Sequence, residues 1–485
     1  MRAQSTALFD FSPFHAQRDQ AVESIRAFLA HDAFRSAVVE ELELDEDFYR
    51  RPLRPEDLAI LPFSEPIRAE NVNCLAALAS NRMMLSINEL GVARLPRARR
   101  GGDEFERFGE FYSDRNQVHA AMVRPFLENF AFGYAGGEAR AEESAADYQG
   151  RLEALQTEEA RFWQSTFQHL VAKDYLQEGL GFILIQRWCL APTQRVALGR
   201  AAASGYFEGL ELMDQPRLDA SDDQTLAALA ESLGVNRRAH SYWQFYLATS
   251  LAQTNLLGSL ASRPDRALAL WGAAFAAEAA WLEFSAGVEG ACPHLLGQSG
   301  AEKNRRESRK ALSERFGRVL SNVEGRFGRQ GLHQFGLGLG AAQKLAARAR
   351  WDLGEQLRWL SAVEQYCELA RKVDARVQVE CPNIDRETFV EPREMCSTTH
   401  VHNDHRLVVI ESGDMVFWGN RGMQLKMKVG DMVLIPQGRL HGSTVVSDEC
   451  TYHQPIIPDD WVRALTRELE TEAPAQEARA HLELG

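Results

Sequence analysis

Two periodicities divide the chain. Up to about residue 375, apolar side chains recur at three- and four-residue spacing, as in "AENVNCLAALASNRMMLSINELG" (69–91), "HAAMVRPFLENFAFGY" (119–134) and "RFWQSTFQHLVAKDYLQEGLGFILIQRWCL" (161–190). That spacing places them on one face of a helix. Further on, the period falls to two. Leu425, Met427 and Val429 alternate with Gln424, Lys426 and Lys428, as on a half-buried strand. "DMVFWGNRGMQ" reads as strand, turn and strand. Breaks fall at a small, polar stretch (135–146) and at "CPNIDRETFVEPREMCSTTH" (381–400), where helix gives way to strand. The final stretch reads as a helix and then a loose polar tail. The pattern predicts three units: helical 1–140, helical 141–378, and all-β 379–485. "FGLGLGAAQ" (335–343) lacks the preceding strand and Lys-Ser/Thr of a phosphate loop, so it is expected to be a turn joining helices.

The β-region carries the chemistry. His400 and His402 stand at i and i+2 in "TTHVHNDHRLVVIESG", so on a strand both point to one face. "VGDMVLIPQGRLHG" supplies a hydrophobic strand, a Pro-Gln-Gly turn and a further strand beginning at His441. Antiparallel pairing would bring the third imidazole beside the other two. Three nitrogens with open positions suit Fe(II), with Mn(II), Ni(II), Cu(II) and Zn(II) as rivals that ligand type alone leaves open. The H-x-H and G-x(5)-P-x-G-x(2)-H blocks resemble the cupin signature. Where that signature has an acidic ligand the chain has Arg406, preceded by His405, which favours a three-histidine site. Both are candidates to steer a substrate carboxylate or polarise bound oxygen, or to form a salt-bridged rim pair.

Composition narrows the field further. At 485 residues, more than one domain is expected. The net charge of −14 argues against a nucleic-acid surface, which needs clustered cations; basic runs such as Arg97 to Arg100 read as solvated faces. No contiguous apolar run reaches the roughly eighteen residues of a membrane span, and the N-terminal sequence has no secretion-signal core. Seven scattered cysteines suit reduced thiols. A cytoplasmic location, away from membranes, is expected.

The segments "YRRPLRPEDL" (49–58), "VRPFLENFAFGY" (123–134), "SYWQFYL" (241–247), "VEPRE" (390–394) and "RLHG…SDEC" (439–450) resemble, in order, those of the N-nitrosourea-forming metalloenzyme family of streptozotocin biosynthesis, and of its relatives that form the diazeniumdiolate graminine in gramibactin-type siderophore pathways. The resemblance implies an all-α dimerisation domain, an all-α heme-oxygenase-like diiron domain and a C-terminal mono-iron cupin barrel. It implies a homodimer, and iron ligation by His400, His402 and His441. It also matches Tyr452 to a tyrosine near the family's cupin iron, where a phenol could hydrogen-bond a substrate or oxygen intermediate, or simply pack.

The central unit departs from that family. A diiron oxygenase of this kind needs about six carboxylate and imidazole ligands. Glu178 and Glu278 fall at ligand positions, but Asn304 and Ser308 stand where the last helix should supply His and Asp. Glu208 or Glu211 could serve as the middle glutamate, Asp222 occupies its partner histidine's place, and His240 has no ligand pattern around it. A degenerate diiron site is expected.

In the family, the central domain N-hydroxylates a guanidine derived from arginine and the cupin rearranges the product with N–N bond formation. The expectation is an Fe(II)- and O2-dependent cupin enzyme acting on N-hydroxylated arginine made by a separate N-hydroxylase, and giving an N-nitroso or diazeniumdiolate, graminine-like amino acid. Two alternatives stand beside it: a bifunctional enzyme whose central domain also hydroxylates arginine, and a non-enzymatic cupin that binds a metal or small ligand.

Overall fold

The computed structural model describes residues 7–34, 51–53, 55–61, 63–95, 103–136, 143–218, 223–236, 242–292, 301–393, 399–419 and 423–466, with backbone alone for 56, 103–104, 223–224 and 301–304. The basic run at 97–100, Asp222, His240, Cys396, the side chain of Asn304 and the tail beyond 466 lie outside the described residues. The described chain is mostly helical with antiparallel sheets at its C-terminal end. It forms two compact units, 1–354 and 355–485.

Helices build the first unit. Ala145–Ala172 starts from a capping box: the Asp147 N–H donates to Ser144 Oγ at 3.3 Å, and the Ser144 N–H donates to the Asp147 carboxylate at 2.8 Å. This helix packs along Ala267–Ala291, where Trp163 meets Phe284 with ring centroids 5.2 Å apart. Pro264–Ala291 is long and apolar enough to cross a membrane by length and composition, yet 67% of its most apolar window is buried inside the unit. Its apolar character is that of a core helix.

The glycine-rich stretch 335–343 is not a turn. It lies inside Ala301–Leu360, a helical run broken only at Gly328. A Cβ on Gly338 would stand 1.8 Å from the carbonyl oxygen of Ala269, and one on Gly272 2.2 Å from that of Phe335. The two helices thus cross backbone to backbone. Glycine costs a helix roughly 1 kcal/mol against alanine, and the close crossing that it permits outweighs that loss.

The second unit opens on the last residues of that helical run, from Glu355, followed by the helix Val363–Glu380. Eight strands come next: β1 (Thr388–Pro392), β2 (His405–Ser412), β3 (Met415–Trp418), β4 (Gln424–Met427), β5 (Met432–Ile435), β6 (Gly442–Val445), β7 (Glu449–His453) and β8 (Ile456–Ile457). One sheet has the order β1-β7-β2-β5 with β8 beside β2, and the other β4-β3-β6. All described pairings between strands are antiparallel.

On one face of the larger sheet, Leu407, Leu434 and Ile457 pack with Leu369, Val373 and Val377 of the preceding helix and with Trp461 and Val462. On the other face, Val408 and Ile410 stand opposite Val433 and Tyr452. Alternation ends sooner than the sequence pattern suggests. β4 stops at Met427, and Val429 is 64% exposed. The cause is a local turn in which the Lys428 N–H donates to the Asp431 carboxylate at 2.8 Å and the Asp431 N–H to the Lys428 carbonyl at 2.9 Å.

Candidate metal centre

His400 and His441 meet across an antiparallel bridge, each backbone N–H donating to the other's carbonyl at 3.0 and 3.1 Å. His402 follows in an irregular segment before β2 rather than on a strand. The Gly438 N–H secures it by donating to its carbonyl at 2.9 Å. Gly438 has φ of +73°, a left-handed conformation that a side chain would strain. It lets the Pro436-Gln437-Gly438 turn reverse the chain from β5 toward His441.

The rings converge. Their centroids lie 4.8 Å (His400–His402), 4.6 Å (His400–His441) and 5.0 Å (His402–His441) apart. One donor atom from each can be chosen so that all lie within 4.8 Å of one another, and among the described residues this is the one group of His, Cys, Asp or Glu with metal-holding geometry. His402 Nε2 and His441 Nε2 are buried with no hydrogen-bond partner among the described residues. Phe417 stacks on His441 at 5.4 Å.

Burial, reinforced by neighbouring imidazoles, holds His402 and His441 far below the ordinary histidine pKa; Arg406 adds to the effect on His402. Both rings are therefore neutral at physiological pH. Buried, neutral and unpaired nitrogens that converge suit a divalent metal, because ligation replaces the hydrogen bonds they lack.

The other site candidates have partners of their own. Arg406 pairs with Glu387 and donates to the Gln454 carbonyl at 2.9 Å, while its buried Nε has no partner among the described residues. His405 Nδ1 accepts from the Gln437 N–H at 3.0 Å, and its Nε2 meets Asp459 at 2.8 Å. Burial depresses its pKa to about 4. Tyr452 stacks on Phe389 at 5.4 Å. Its phenol is pushed well above the usual range, first by burial and then by the hydrogen-bonded Glu391.

Carboxylates in the helical unit are occupied differently. Glu178, Glu208, Glu211 and Ser308 are exposed. Glu278 is paired with Arg315 and accepts from the Arg217 N–H at 2.9 Å. Elsewhere in that unit, Arg350 bridges exposed Glu158 and buried Glu159 at 2.5 and 2.6 Å, and Arg309 clasps buried Glu283.

No protein-family model matches the chain. It is 26% identical over 443 residues to the nitrosourea synthase of Streptomyces achromogenes subsp. streptozoticus, an alignment that spans 85% of this chain and 90% of that protein. The likeness to the N-nitrosourea-forming family is thereby borne out. The likeness supports an enzyme of an oxidative, N–N bond-forming kind over a bare binding module. The resemblance drawn from five short segments thus extends along most of the chain.

Proposed function

We propose that His400, His402 and His441 hold one iron(II) ion, and that the enzyme oxidatively rearranges an N-hydroxylated arginine into an N-nitroso or diazeniumdiolate, graminine-like amino acid. The observation that carries the proposal is the convergence of three imidazoles, two of them with buried Nε2 atoms that have no hydrogen-bond partner among the described residues. In this reading the C-terminal sheets are a cupin barrel, and the helices divide into a dimerising unit (1–140) and a heme-oxygenase-like unit (141–378). Iron bound to three neutral imidazoles would supply dioxygen redox chemistry and open positions for a hydroxyguanidine oxygen.

The chain's own residues supply the rest. Neutral rings spare the site any proton loss before a cation enters. The Arg406 guanidinium, close enough to act on His402, favours the carboxylate end of an amino-acid substrate nearby. Tyr452 offers a phenol that burial keeps protonated, and therefore a donor. His405 holds the Gln437 turn through Nδ1.

Pairing of Glu278 with Arg315, and exposure of Glu178, Glu208 and Glu211, support a separate enzyme as the source of the hydroxylated substrate. The test is anaerobic reconstitution with iron(II), then hydroxylated arginines plus dioxygen, with products read by mass spectrometry. An N–N bonded product formed only with iron, dioxygen and a pre-hydroxylated substrate is expected. Hydroxylated arginine appearing from arginine itself would instead favour the bifunctional alternative.

A further inference from the structure

Leu440 stands immediately before His441, and its backbone is gripped by a side chain. The Leu440 N–H donates to Gln356 Oε1 at 2.9 Å, and its carbonyl accepts from Gln356 Nε2, also at 2.9 Å. A primary amide that engages both groups of one residue does what a neighbouring strand would do. Gln356 and Leu440 are both 0% exposed. A buried amide is costly unless its atoms are bonded, so this one is held by its two bonds to Leu440.

One turn further along the same helix, Trp359 sets its buried ring edge-on to Phe417, with centroids 6.1 Å apart at 87°. Phe417 in turn lies along the His441 ring, 26° from parallel. Gln356 therefore fixes the backbone that leads into His441, and Trp359 backs the ring on which His441 rests. The bonds continue outward: His441 is tied to His400 by the two-way bridge, and Gly438, two residues before Leu440, is tied to His402.

We infer that Gln356, supported by Trp359, is a positioning residue for the metal centre: it sets where His441 Nε2 stands relative to His400 and His402. This rests on the reading of the three imidazoles as a metal site. The pairing is specific to glutamine. An ionised glutamate has no donor for the Leu440 carbonyl, asparagine is a methylene shorter, and methionine keeps the volume without either bond.

The test uses the full-length protein, stripped of metal and titrated anaerobically with cobalt(II), whose visible spectrum reports ligand geometry. Affinity is read by chelator competition, and folding by circular dichroism. Wild type should take up one cobalt per chain and His402→Ala none. Gln356→Met should stay helical, bind cobalt roughly 10- to 100-fold more weakly, the usual cost of losing an outer partner of a ligand, and show a shifted spectrum. Trp359→Leu should shift the spectrum with a smaller loss, and it carries the test if Gln356→Met does not fold.

Wild-type affinity and spectrum in folded Gln356→Met, with binding abolished in His402→Ala, would overturn the positioning role and leave the metal site standing. The same result in Trp359→Leu, if that were the folded variant, would overturn it equally. Failure of wild type to bind cobalt, or retention by His402→Ala, would remove both readings.

Discussion

Two interiors of this protein bury polar groups of the kinds that ligate metals, and they dispose of them in opposite ways. In the helical unit, Glu159 and Glu283 are almost fully buried, and each has a guanidinium within hydrogen-bond reach. In the C-terminal unit, His402 and His441 each bury an Nε2 that has no hydrogen-bond partner among the described residues, within a cluster that His400 completes. Burial raises the Glu159 carboxyl's pKa and Arg350 draws it back, whereas the imidazoles resolve the same difficulty by giving up their protons. An interior that supplies its own counter-charge is complete. An interior of neutral, converging donors still has valence to offer.

The sharpest way to break this contrast is to remove a ligand. His402→Ala or His441→Ala should strip the bound iron and lower turnover by at least about a thousandfold, while the helical circular dichroism persists. Full iron content by atomic absorption in either variant would end the three-imidazole reading.

Next in size is the salt bridge of the helical interior. Arg350→Met leaves Glu159 buried without its partner and should destabilise the protein by about 3–5 kcal/mol in denaturant unfolding. Iron per chain should stay at one. Iron loss in step with Arg350→Met at temperatures where the protein is still folded would show that the helical interior also holds metal.

A smaller effect belongs to His405. Its folded pKa of about 4 lies below the ordinary histidine value of 6.5, so the unfolded chain binds more protons between these limits and stability rises with pH across that window. The contribution is complete above about pH 6.5 and is lost as the pH falls toward 4. With partial exposure discounted, it amounts to something on the order of 2 kcal/mol. His405→Asn should flatten this part of the stability profile, and an unchanged slope would assign the pH dependence to other groups.

The smallest expected change sharpens the contrast from the other side. Glu178→Gln combined with Glu278→Gln should leave turnover of a pre-hydroxylated substrate within about twofold of wild type, since surface or already paired carboxylates contribute little to chemistry in which they take no part. A large loss in steady-state rate would return those glutamates to the chemistry.

The switch from helical to strand periodicity was legible in the sequence, because each pattern repeats over many residues. The imidazole cluster was legible because short range fixes most of it: two histidines separated by one residue, and a third after a turn that needs glycine at 438. What escaped depends on contacts distant in the chain. Gly336, Gly338 and Gly340 look like a loop until the Tyr148 ring, the Ala269 backbone and the Arg151 guanidinium are placed against them in turn. Gln356 sits in an unremarkable helical stretch, "LGEQLRW", and its partner lies 84 residues later. Nothing local marks that amide, since its meaning resides in the backbone of Leu440. Val429 was misread for a related reason: alternation persists by chance past the point where Asp431 turns the chain.

The His441 ring has one more bond, from its Nδ1 to the carbonyl of Arg439 at 2.8 Å. A carbonyl oxygen can only accept, so the hydrogen must reside on Nδ1. Of the two tautomers open to a neutral imidazole, the fold has thus selected the one that leaves a lone pair on Nε2, the buried atom that has no hydrogen-bond partner among the described residues. In solution that choice would remain an equilibrium, renegotiated whenever a cation arrived; here a main-chain oxygen two residues away makes it in advance, as part of folding.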